Sequence, residues 1–153
     1  MDCATLIAGH RAIAEACRAM LGTLADVPVD INALARDRMA LSMKIRDHIR
    51  NEDRMILPVL TAHGKAPLPT SVRDVIDRRA RLMQCYSKHV GRWNLSAVSA
   101  DTARFHVEVA AHFDEAFALM AAQERTLYPY IQSLADRSRS MSARPAPTLR
   151  IAS

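Results

Sequence analysis

An all-α fold, arranged as an up-down-up-down four-helix bundle, follows from three observations on the 153-residue chain. Half of its residues are apolar, few are aromatic, and Gly occurs only 4 times while Ala, Leu, Met and Arg abound, a helix-forming composition. No alternating run of β-branched residues is bounded by hairpin turns, so strand signals are missing. Four long segments carry helical periodicity instead, and the short, breaker-rich connections between them favour antiparallel neighbours. A chain of this size buries a core without disulfides or metals as staples.

The first helix is expected over residues 2–25, ended by "DVPVD". The second starts at the N-cap candidate Asp30 and runs to about Leu60, where "AHGKAPLP" forbids continuation through Gly64, Pro67 and Pro69. The third opens at "TSVRD", in which Ser71 and Asp74 have capping-box spacing, and ends near Trp93. The fourth covers residues 99–134, with Tyr128 and Pro129 closing its regular part. The bundle thus occupies residues 1–136, and 137–153, rich in Arg, Ser and Pro, form a tail expected to be disordered.

Charge and thiols narrow the function. Four of the five net positive charges belong to Arg137, Arg139, Arg144 and Arg150 in that acid-free tail, so the folded part is near neutral and no nucleic-acid face is indicated. Cys3, Cys17 and Cys85 form no CxxC pair, which suggests reduced thiols and a cytoplasmic setting. No apolar run reaches the roughly eighteen residues of a membrane span.

The inward stripes follow from 4-3 spacing. They are Leu6, His10, Ile13, Cys17, Met20 and Leu24; then Leu41, Ile45, His48, Glu52, Met55 and Val59. The third stripe is Leu82, Tyr86, His89 and Trp93, with the charged Arg79 as an irregularity. The fourth is Val109, Phe113, Phe117, Met120, Glu124, Leu127 and Ile131. His10, His48, Glu52, His89 and Glu124 therefore all fall where side chains are buried. Unpaired, such groups cost several kcal/mol each, so they need one another or an ion. Imidazole nitrogen with carboxylate oxygen suits iron, manganese or zinc. The plainer readings are a solvated surface pair for His48 and Glu52 and satisfied core histidines for His10 and His89. His63, His106 and His112 are read as non-ligands, and the methionines as core filling.

The segments "LIAGHRAI", "HIRNEDRMILP", "YSKHVGRW" and "LMAAQERTLYP" resemble the four helical elements of the hemerythrin-like (HHE cation-binding) family over roughly residues 3–134. The second, with His48, Glu52 and Pro58, carries the family's HxxxE; the fourth lacks its histidine, because Met120 stands four residues before Glu124. Counting back from Pro129 would instead place Gln123 and Leu119 at the ligand positions; the Glu124 register is preferred because its stripe is more apolar. The resemblance implies a hemerythrin-like bundle holding non-haem iron, as a pair or a single ion, or another divalent metal. Its nitrogen ligands would be His10, His48 and His89, and Glu52 and Glu124 would bridge or cap. It implies binding of oxygen or nitric oxide, or sensing of redox or iron state. Two rivals stand beside it. One is a metal-poor, degenerate hemerythrin-like regulator acting by contact with a protein partner or a second copy in a homodimer. The other is a diiron enzyme, for which Tyr86 is the candidate proton donor.

Overall fold

The computed structural model describes residues 3–64 and 66–142. These residues contain α1 (Ala4–Ala25), α2 (Ile31–His63), α3 (Thr70–Arg92), a short α4 (Leu95–Ala100), α5 (Thr102–Ala122), a π-helical turn (Gln123–Leu127) and α6 (Tyr128–Ser142), with no strand among them. The all-α expectation therefore holds. No helix among the described residues is long and apolar enough to cross a membrane.

Side-chain caps set several boundaries. The Asp30 carboxylate accepts from the backbone N–H groups of Asn32 and Ala33, both at 2.9 Å, and these bonds hold its carboxyl below the usual range. α2 runs to His63, slightly beyond the expected end, and stops at Gly64, whose φ of 69° is the left-handed conformation that favours glycine. At the start of α3 the expected capping box does not form. Thr70 already begins the helix and Pro69 holds the cap position, which puts Ser71 inside the first turn.

The last expected helix departs most from a single rod. Asn94 caps α4 by accepting from Ala97 N–H, and Asp101 caps α5 by accepting from Arg104 N–H. The α-helical stretch then gives way to the π turn, in which Tyr128 N–H reaches back to the Gln123 carbonyl. Pro129 lacks an N–H and its ring crowds the carbonyl four residues earlier, so it is tolerated best in a first helical turn. Here it follows directly on the π turn, where the backbone bonds already depart from the α pattern. The helix thus continues through Tyr128 and Pro129 rather than closing at them. It reaches Ser142, six residues into the segment expected to be disordered; residues 143–153 lie outside the described residues.

All six residues of the first stripe are buried. On α2 the stripe holds at Leu41, His48 and Glu52, but Ile56 replaces Met55 as the next buried position. On α5 it holds at Val109 and Phe113, then shifts to Leu119 and, at the first residue of the π turn, Gln123, in place of Met120 and Glu124, and it resumes at Leu127, the last residue of that turn, and at Ile131. Two apolar clusters result. One gathers Ile13, Cys17, Leu41, Trp93, Phe105 and Phe113, and the other Leu6, Ile56, Val75, Leu127 and Ile131. Each fully buried side chain of this kind contributes about 1.5–3 kcal/mol relative to exposure. Along α1 and α2, His10, His48 and Glu52 fall between the two clusters. α1 packs along α2 and α5, and α3 along α5. α2 and α3 meet through the apolar cluster around Ile56 and Val75 and through Arg79.

Candidate functional site

Five elements supply one polar cluster: His10 from α1, His48 and Glu52 from α2, Arg79 from α3, Gln123 and Glu124 from the π turn, and Tyr128 from α6. Its centre is Glu52, which is buried. Oε2 accepts from Arg79 Nε at 2.7 Å, and the same guanidinium donates through Nη2 to Asp53 Oδ1 at 3.1 Å. Oε1 accepts from Gln123 Nε2 and, at 3.1 Å, from the Tyr128 hydroxyl. Both oxygens of the carboxylate are thus engaged by donors, one of them a full positive charge.

His10 forms the second arm. Its Nδ1 donates to Glu124 Oε1 at 2.8 Å, and its Nε2 lies 3.0 Å from the Tyr128 hydroxyl. Tyr128 has one proton and two acceptors within reach, His10 Nε2 and Glu52 Oε1, so the hydroxyl donates to one arm or the other and stands at the point where they meet. Burial, then the Glu52 carboxylate, pushes the Tyr128 phenol far up, which keeps it protonated and a donor. Glu124 itself sits at the rim with its side chain 36% exposed.

His48 lies against the His10 ring, with centroids 4.6 Å apart. Burial first, then His10 and Arg79, pull its imidazole down to about 4, so it is neutral near pH 7. The close approach of α1 depends on Gly9: a Cβ there would stand 2.5 Å from His48 Nδ1.

His89 is elsewhere. It does not line the cavity shared by His10, His48 and Glu52 but a second depression with Cys85, Lys88, Arg92, Glu108 and His112. Its ring stacks on Phe105 at 5.6 Å and meets His112 edge-on at 4.5 Å, and neither ring nitrogen has a hydrogen-bond partner. Burial, then His112 and the Arg92 and Arg38 charges, pull it down to about 4. The nearest carboxylate, Glu108, is 3.9 Å away and is held by the Trp93 indole at 2.8 Å.

The structure therefore brings His10, His48 and Glu52 together, places Glu124 on His10 at the rim, and separates His89 from them. Gln123, the competing register, takes the buried position beside Glu52. Arg79 and Tyr128 were missed as site residues. Arg79 had a signal, a charge on an apolar stripe; Tyr128 had none beyond its place next to Pro129. His112, read as a non-ligand, lines both the cavity and the His89 depression.

These donors do not fit a two-metal centre as arranged. A metal needs free lone pairs on Glu52, and here they accept from a guanidinium, an amide and a phenol, with the guanidinium supplying the positive charge that a metal ion would. Among the described residues, no group of three or more His, Cys, Asp or Glu side chains is placed to hold a metal ion. No protein-family profile, curated protein or solved structure matches the chain.

Proposed function

We propose that the chain is a hemerythrin-like, up-down-up-down four-helix bundle in which an internal salt bridge stands in place of iron, and that it acts as a regulator through protein contact. The observation that carries this reading is the Arg79–Glu52 pair, completed by Gln123. A buried carboxylate needs a compensating positive charge, and a side chain on α3 provides it without an ion. Where a carboxylate from the fourth segment would bridge two metals, an amide donates to Glu52 instead. The contact surface in this reading is the outer end of the α2–α3 seam with the adjoining start of α4, where Met39, Met43, Val90 and Leu95 are exposed.

Elemental analysis after anaerobic iron loading, with absorption spectra before and after air, tests the first half. Fewer than about 0.2 iron atoms per folded chain is expected. About two per chain, with an iron charge-transfer absorption, would overturn it in favour of oxygen, nitric oxide or iron sensing. The contact half is tested by photo-crosslinking in producing cells. A reactive group at position 39 should yield a discrete adduct that the same group at position 107, an exposed site on α5, does not. Equal or absent adducts at both positions would sink the contact role.

A further inference from the structure

The α2–α3 seam leads inward. A groove of about 330 Å3 on the surface and a cavity of about 90 Å3 behind it share Ile45, Ile49, Met83 and Tyr86 as lining residues, so the groove is the mouth of the cavity. Much of the inner wall is apolar, formed by Ile13, Phe113, Ala116, Leu119 and Met120, and the polar cluster meets the cavity through His10, His48, Glu52, Arg79 and Gln123.

Of those polar groups, Glu52 and Arg79 are committed to each other and to Gln123 and Asp53. His48 is not. Among the described residues it has ring contact with His10 and no hydrogen bond, and it is about nine-tenths buried. A neutral imidazole has one donor and one acceptor, and here neither is used by the protein, so both are available to a molecule in the cavity. Tyr86 and His112 also line the cavity without a hydrogen bond, but they are only half-buried and within reach of water, so His48 is the buried group that a ligand would satisfy, and such a cavity selects an apolar body with one matching group. A charged molecule would lose its hydration against these walls without gaining a free counter-charge.

We propose that this cavity binds a small neutral molecule, apolar in its body and carrying one hydrogen-bonding group that pairs with His48. At about 90 Å3 it is smaller than the roughly 150 Å3 apolar cavity known to admit benzene. The enclosed part of the ligand is therefore limited to roughly four or five non-hydrogen atoms, and anything larger extends into the groove. The inference is separate from the contact role: metal content and crosslinks test one, ligand-induced shifts the other.

The test uses the full chain with methyl-labelled methionine and 1-butanol as probe, read by NMR at Met83, Met120 and the His48 ring. Butanol should shift all three signals with a Kd of about 1 mM, whereas butyrate and butylammonium at equal concentration should not. Ala116→Leu, which fills the cavity, should weaken butanol binding at least about tenfold. If that variant does not fold, Met83→Trp at the mouth serves the same purpose. His48→Leu should lower butanol affinity about tenfold and leave 1-chlorobutane, a probe of similar shape without a hydroxyl, unchanged. Absent shifts at Met120, butyrate binding as well as butanol, or an unaltered butanol affinity in folded His48→Leu would each overturn the proposal.

Discussion

His10 and His89 are both buried histidines on predicted inward stripes, yet the protein treats them in opposite ways. Around His10 each ring nitrogen has a partner, and the network continues through Tyr128 and Glu52 to Arg79. Around His89 both nitrogens are unpaired and the ring is held by stacking on Phe105, with His112 edge-on and Trp93 tilted against it. One region keeps buried polarity by satisfying it. The other keeps a titratable ring by surrounding it with aromatic surface and suppressing its charge. The same residue type on the same kind of stripe therefore carries different energetic consequences, decided by what the neighbouring helices present.

The sharpest way to break the comparison is to remove the charge that anchors the satisfied region. Arg79→Met leaves Glu52 buried with its strongest partner gone and should cost about 3–5 kcal/mol in urea unfolding. Arg79 is itself 27% exposed, so water can enter and the lower end of that range is expected. Adding Glu52→Gln to Arg79→Met should recover most of the loss, because a neutral amide no longer requires a counter-charge. A cost below about 1 kcal/mol for Arg79→Met alone would mean that the pair is a surface contact and the polar centre is held by something else.

The second region should respond in the reverse sense. Replacing His89 by Phe exchanges an unpaired imidazole for an apolar ring among aromatic neighbours, and stability at pH 7 should rise by about 1 kcal/mol. Its acid dependence should also fall. The folded His89 titrates at about 4, well below the ordinary 6.5, so between those values the unfolded chain binds the extra proton. The stability associated with the neutral ring is complete above about pH 6.5 and is lost as pH falls toward 4. One such group gives a slope of about 1.4 kcal/mol per pH unit, and urea midpoints from pH 7 to 4 should show that slope reduced by about one proton in His89→Phe. A destabilised variant with an unchanged slope would mean that His89 is paired in solution.

What the sequence could and could not convey follows the same division. The α1 stripe was legible in full, as were Leu41, His48 and Glu52, because each is set by the period of a single regular helix. The fourth segment was not, because 4-3 counting assumes an unbroken α-helix. The π turn adds a residue to the winding, so Gln123 and Leu127 at its two ends both face inward, in line with Leu119 before it and Ile131 after it. Arg79 was visible as a charge on an apolar stripe, but its meaning lies in a carboxylate on another helix, which periodicity does not encode. The separation of His89 from His10 was hidden for a related reason: the height at which two stripes meet depends on helix offsets, which periodicity within one helix does not encode.

Glu124 offers the smallest effect and the finest discrimination, since it was the preferred ligand position and the structure gives it a rim contact. Its carboxylate meets His10 Nδ1 at 2.8 Å, but the side chain is 36% exposed, so solvent screens the pair. Glu124→Gln retains an oxygen that can accept from His10 and removes only the charge. It should therefore change unfolding stability by less than about 1 kcal/mol, and raised salt should shrink the difference further. Gln123→Leu, one residue earlier, removes a buried donor to Glu52 and should cost about 1–3 kcal/mol with little response to salt. If the ranking came out reversed, with Glu124 the costly position, the fourth segment would pack in solution on the register of Met120 and Glu124, and the ligand set that includes Glu124 would again be the simpler account of the site.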